Sequence, residues 1–247
     1  LLATTGRFFH SPFMFRTTLP LLLGLTLAAS AQETRKISLR TLCFTHVDQV
    51  QKVFATGSEP GSSVEVPLFT ETFSNPVEVV ATDGKLTFSL AAPAKDVPVL
   101  PAVKIPAGQR ILCLFLPNPG KKNQPYRVVA MADDMASFPL GSIKLMNLTP
   151  AVLRFDLGEF SDAKGLTVAP GKTGQIATIR KVNHLNQYDA KALYQMKPGE
   201  FVQFYNSRWR SVAAKRDIAI AYLDPVSKQP TVNLYEDAPA VEIPKQP

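Results

Sequence analysis

Residues 139–159 read P-L-G-S-I-K-L-M-N-L-T-P-A-V-L-R-F-D-L-G-E. Ile143 and Leu145 alternate with Ser142, Lys144 and Met146; Leu153, Phe155 and Leu157 alternate with Arg154 and Asp156. A period of two predicts strands that set one apolar row against a core and leave the charges outside. Pro150 cannot donate to a ladder, so the break between the strands falls there. Gly141 and Gly158 punctuate the ends. The stretch reads as the opening of a second β lobe.

Outward from it, the same periodicity recurs in short pieces. Strands are expected at 37–44, 49–56, 63–69, 76–82, 85–90, 103–117 and 126–131 before the stretch. After it they are expected at 166–168, 173–182, 189–196, 201–209, 217–223 and 231–235. Val47, Val50 and Phe54 fall at helical spacing, which leaves a helical turn as a competitor there. Asp83-Gly84 between two alternating runs predicts a tight hairpin. With 21 prolines against 13 glycines, stiff connections between short strands are favoured over long helices. A chain of 247 residues accommodates one large β domain or two of about 100 residues each. The fold class is therefore all-β, with two antiparallel, immunoglobulin-like β-sandwich lobes at 32–132 and 139–237. The short polar join 132–138 separates them, and 238–247 is a proline-rich tail.

The N-terminal segment has another character. From Met14 it runs M-F-R-T-T-L-P-L-L-L-G-L-T-L-A-A-S-A-Q, with a cation, a short apolar core and the small-residue site Ala29-Ser30-Ala31. That order is the pattern of a secretory signal peptide cleaved after Ala31, with residues 1–13 read as a mis-assigned start. The apolar run is too short to span a bilayer. An extracytoplasmic location, periplasmic or secreted, follows as an expectation, with no transmembrane span in the mature chain. Without Arg7 and Arg16 the net charge falls from +7 to +5, spread along the chain, so a nucleic-acid partner is not indicated.

The run I-K-L-M-N-L-T-P, the turn V-A-P-G-K and the strand ending R-W-R resemble exported β-sandwich proteins of unknown function. In outline they are similar to the accessory family of periplasmic alginate O-acetylation. The resemblance covers 141–223 and implies a two-lobed sandwich with a non-catalytic role. It transfers no functional residue.

No nucleophile elbow, zinc-protease helix, phosphate loop or dinucleotide fingerprint is present. His46 and His184 lie far apart and read as loop residues. Asp133-Asp134 reads as solvated charge in a linker. Asn147-Leu148-Thr149 fits a glycosylation sequon, but Asn147 reads better as a strand end bonding its own backbone. Cys43 and Cys113 sit in apolar strands, either as a disulfide or as two buried thiols. Neither a metal site nor a cofactor is indicated.

The best candidate for binding is F-Y-N-S-R-W-R-S-V-A-A-K-R, 204–216. If it is extended, Arg208 and Arg210 share one face and Trp209 takes the other. Tyr205, Arg208, Trp209, Arg210 and Arg216 together suit an acidic polymer or a sugar stacked on an aromatic ring. The alternative is that Trp209 fills the core while the arginines face water, as a lone tryptophan in a sandwich usually does. The function expected is an exported binding or scaffold protein, not an enzyme, acting on a protein partner or an anionic envelope polymer. A polysaccharide-modifying enzyme and an assembly subunit are the alternatives.

Overall fold

A computed structural model describes residues 33–59, 61–92, 99–118, 121, 123–161, 164–224 and 227–239. Segment 1–31, where a signal peptide is expected, and most of the tail lie outside the described residues. These described residues hold seventeen strands and no α-helix. The first nine are β1 Thr34–Cys43, β2 Lys52–Thr56, β3 Ser63–Pro67, β4 Val77–Thr82, β5 Lys85–Leu86, β6 Phe88–Ser89, β7 Val103–Lys104, β8 Arg110–Pro117 and β9 Tyr126–Ala132. They form a six-stranded sheet, β7-β5-β4-β1-β8-β9, and a three-stranded sheet, β3-β2-β6. The other eight are β10 Ile143–Asn147, β11 Leu153–Leu157, β12 Leu166–Val168, β13 Thr173–Ile176, β14 Gln187–Lys197, β15 Glu200–Arg210, β16 Arg216–Leu223 and β17 Pro230–Asp237. They form two four-stranded sheets, β13-β10-β16-β17 and β12-β11-β14-β15.

Local chemistry explains several of these boundaries. Asp83 and Gly84 both have positive φ, 49° and 67°, and close the β4–β5 hairpin with Thr82 opposite Lys85. That is the geometry a two-residue turn needs to match the strand twist. Between β7 and β8 the chain turns at Pro106-Ala107-Gly108, so the single strand expected over 103–117 is two. The strand expected over 173–182 ends at Ile176. Asp48 and Gln49 adopt left-handed φ of 51° and 59°, which ends the case for a helical turn there.

The two halves of the chain repeat one topology. The pairings β4-β1-β8-β9 and β3-β2-β6 recur as β13-β10-β16-β17 and β12-β11-β14. In each half the first strand pairs in parallel with the penultimate one, β1 with β8 and β10 with β16. The six-stranded sheet and the β13-β10-β16-β17 sheet are therefore mixed, a correction to the purely antiparallel arrangement expected, while β3-β2-β6 and β12-β11-β14-β15 are antiparallel throughout. Side chains repeat as well, at near-constant spacing. Ser38 and Ser142 lie two residues before the cations Arg40 and Lys144, Arg110 and Arg216 head β8 and β16, and Asp133 and Asp237 stand at the ends of β9 and β17.

Three hydrophobic clusters result. One gathers Ile37, Leu39, Ile111, Cys113 and Phe115 with the small sheet's Val53 and Phe88. A second lies between the four-stranded sheets, with Leu145 and Ala219 facing Phe155, Ala190 and Trp209. The third joins the halves. Leu42, Leu112, Leu114 and Met131 meet Met146, Ile218, Ile220 and Tyr235, and these are equivalent positions on the two repeats. Strands β8, β10 and β16 are thus covered on both faces, which is why I-L-C-L-F-L and I-A-I-A-Y-L run almost continuously apolar.

Candidate functional site

The register of β15 places the predicted residues. Arg208 lies opposite Asp189 and Arg210 opposite Gln187, whereas Trp209 lies opposite Tyr188 on the other side of the sheet. Trp209 is 5% exposed and sits in the second cluster. Its ring meets Tyr188 edge-on at 6.3 Å, and its Nε1–H donates to the Tyr205 hydroxyl at 3.1 Å. Tyr205 is half-buried and also points inward. Arg216 belongs to neither group; it heads β16 in the opposite sheet and is 0% exposed. The five residues therefore split three ways, and only Arg208 and Arg210 are exposed.

Those two stand on the outer face of the β12-β11-β14-β15 sheet. Arg154, Leu193 and Gln203 line up across it, as do Asp156, Lys191 and Asn206. Arg154 chelates Asp156 through two bonds of 2.9 Å and lies over the Phe201 ring at 4.9 Å. Asp156 is therefore buried rather than solvated. Arg208 approaches Asp189 to 3.6 Å with both side chains exposed. Lys191 and Arg210 have no carboxylate within ion-pair distance among the described residues. The face thus offers four cations against two carboxylates, interleaved with the amides of Gln187, Gln195, Gln203 and Asn206.

A groove of about 480 Å³ opens beside this face. The β14–β15 register slips between Ala192 and Leu193, which leaves Phe204 as an extra residue on β15. A bulge re-aims side chains, and here it turns Phe204 and Tyr205 to the same inner side. Phe204 and Tyr194, 6.1 Å apart and tilted, line the groove with Leu223, Gln229 and Gln203. Gln203 is shared with the open face.

A second feature escaped the sequence reading. Arg40, Asp133, Arg216 and Asp237 form a buried charge cluster where the halves meet. Arg40 forks onto Asp237 at 2.6 and 3.0 Å and reaches Asp133 at 3.4 Å. Arg216 bonds Asp133 and, at 2.8 Å, Asp237, and donates to the Phe138 carbonyl at 2.8 Å while covering the Phe138 ring. Asp133 is 1% exposed, so it is not solvated linker charge. Burial by itself would raise the Asp237 carboxyl, but the two guanidiniums outweigh it and hold that group below the usual range. Lys144 completes the cluster: its amine donates to the Ala132 carbonyl at 3.1 Å and lies 4.2 Å from the Phe138 ring centre. Burial and the Arg216 charge lower it to about 8. The charge expected on the outside of β10 is inside, because the other half of the protein covers it. The only trace of this in sequence is the repeated spacing of like residues.

Other sequence candidates resolve simply. Cys43 and Cys113 are free, buried thiols, so the alternative of a disulfide is set aside. They lie on neighbouring strands, but Cys113 stands opposite Thr41 and Cys43 opposite Phe115, which sets them two positions out of register. Burial pushes the Cys43 thiol up to about 11 and that of Cys113 higher still. Asn147 is fully buried, accepting from Thr149 and donating to the Ala151 and Val168 carbonyls. Its side chain bonds local backbone, and a glycan has no room there. His46 lines a groove of about 690 Å³ with Glu71 and Tyr235, and its Nε2 is 2.7 Å from the Leu68 carbonyl oxygen. Among the described residues no three metal-ligating side chains converge, and no helix is long and apolar enough to cross a membrane.

Neither a protein-family model nor a curated protein matches the chain.

Proposed function

We propose that the protein is an exported, non-catalytic binding protein whose two immunoglobulin-like sandwich lobes present a basic sheet face to an acidic envelope polysaccharide. One observation carries the reading: the outer face of β11, β14 and β15 is open and carries more cations than carboxylates. Arg154, Lys191, Arg208 and Arg210 are spread over three adjacent strands with amides between them. Guanidinium forks suit carboxylate or sulfate groups, and side-chain amides suit sugar hydroxyls. The Phe204–Tyr194 groove, joined to the face through Gln203, offers an aromatic surface to a sugar ring. The signal-like segment 14–31 supports an extracytoplasmic role.

The test is calorimetric titration of the full protein with polyuronate and sulfated oligosaccharides at low and physiological salt. Binding is expected to weaken as salt rises, because exposed charges are screened within about 8–10 Å. Lys191→Ala and Arg210→Ala should each reduce affinity without moving the melting temperature. Binding that is indifferent to salt and to both substitutions, or absent for every acidic glycan, overturns the proposal.

A further inference from the structure

The groove beside His46 is built by both halves of the chain. Phe44 and His46 follow β1, Glu71 follows β3, and Asn233 and Tyr235 belong to β17. Val232 and Leu234 pack into the second cluster and Tyr235 into the third, so the period of two turns Asn233 and Tyr235 toward the N-terminal half. The loops that carry the other three residues are tied together. Cys43 N–H donates to the Phe69 carbonyl at 2.8 Å, Phe44 N–H to the Phe115 carbonyl at 2.9 Å, and His46 Nε2–H to the Leu68 carbonyl at 2.7 Å. At about 690 Å³ the groove falls within the range of about 300–1,000 Å³ typical of small-ligand sites, which favour junctions of this kind.

The lining has one chemical sense. The Glu71 carboxylate is exposed at the rim and only accepts hydrogen bonds. With Nε2–H engaged by Leu68, the neutral His46 ring offers Nδ1, another acceptor. Asn233 lies between two tyrosine hydroxyls: Tyr222 donates to its Oδ1, and its Nδ2 donates to Tyr235, both at 3.4 Å. Those bonds are longer than the usual range of about 2.5–3.2 Å, so a better-placed hydroxyl can take over the amide. The half-buried Phe44 ring, which meets Tyr222 edge-on at 4.4 Å, supplies an apolar surface. Neither lysine nor arginine is among the described lining residues. The groove is thus the electrostatic opposite of the β11–β14–β15 face. One carboxylate beside aromatic rings favours an ammonium group and disfavours an acid.

We infer that this groove binds an amino sugar whose amine is free. Glu71 takes the ammonium group, Asn233 and His46 Nδ1 take ring hydroxyls, and Phe44 takes the less polar face of the ring. Because the ligand touches both halves, its binding adds to the stability of their junction. The site is separate from the polysaccharide face and does not rest on it.

Calorimetric titration of the full protein with a glucosamine disaccharide tests this, with the N-acetylated disaccharide and a glucose disaccharide as twins. The amine form should bind, and each twin should bind about tenfold more weakly, since a charge-assisted bond is lost. Glu71→Gln should weaken the amine form about tenfold and leave the twins unaffected, which separates the ammonium contact from a general loss of the groove. That variant should melt with the parent, because Glu71 is exposed. Saturation with the amine form should raise the melting temperature of the parent, and less so that of Glu71→Gln. Lys191→Ala with Arg210→Ala, which removes charge from the polysaccharide face, should leave this binding unchanged. No binding of the amine form at millimolar concentration, equal affinity for the N-acetylated twin, or unchanged affinity in Glu71→Gln each overturns the inference. Loss of the binding in the Lys191→Ala, Arg210→Ala protein overturns it as well.

Discussion

Replacing Arg216 with methionine is the severest test of how the halves are joined. Arg216 is 0% exposed and is held by Asp133, Asp237 and the Phe138 carbonyl, with Phe138 packed on its plane. Without it, Arg40 alone faces two buried carboxylates, and two backbone carbonyls lose a donor. Removing one partner from a buried ion pair costs about 3–5 kcal/mol. For a protein of this size each kcal/mol lowers Tm by about 2–4 °C, so Arg216→Met should lower it by roughly 6–20 °C. The cluster and the third hydrophobic layer are shared by the halves, while each half retains a cluster of its own. Scanning calorimetry should therefore show a broadened or split transition. Adding Asp133→Asn to Arg216→Met should recover part of the loss, because it removes one stranded charge. A single variant melting within 2 °C of the parent as one sharp transition, with no recovery in the double variant, would refute the reasoning.

Asp217 should give the opposite pH response from a paired carboxylate. Burial, then the charges of Glu236 and Asp237, push it up to about 7 against some relief from Lys215. Its folded pKa therefore lies above its unfolded value of about 3.9, and the folded state holds the proton more tightly. Stability should fall as pH rises from about 4 to 7, by at most roughly 4 kcal/mol. Asp217→Asn should melt later than the parent at pH 8 and match it at pH 4; equal melting at both would refute this. Asp237 has the reverse sign: its depressed carboxyl stabilises above the unfolded value and loses that contribution as pH falls through its folded pKa. Trp209→Ala should cost about 3–5 kcal/mol in thermal melts, as a core truncation does. Arg208→Ala should stay within about 0.5 kcal/mol, as an exposed site does, and a reversal of these two magnitudes would mean that Trp209 is not core.

The local pattern was enough for some of this protein and not for the rest. Alternation in 143–146 and 153–157, the Asp83-Gly84 turn and the proline breaks are governed by backbone sterics and pleat geometry, which act within a few residues. They announce an all-β chain and the side of β15 on which Arg208 and Arg210 lie. They cannot announce what covers the other side of a strand. Lys144 and Asp156 fit an outward position in the pleat, yet both are buried, one by the opposite half of the chain and one under its Arg154 partner. Asp133 looks like linker charge until Arg216, far along the chain, is folded against it. The parallel pairing of β1 with β8 and of β10 with β16 joins segments whose own residues carry no mark of their partner. The bulge at Phe204 likewise depends on the register with β14. Period and turn chemistry are short-range properties that sequence carries directly. Burial and ion pairing are properties of what two distant segments do to each other, and only the tertiary structure decides them.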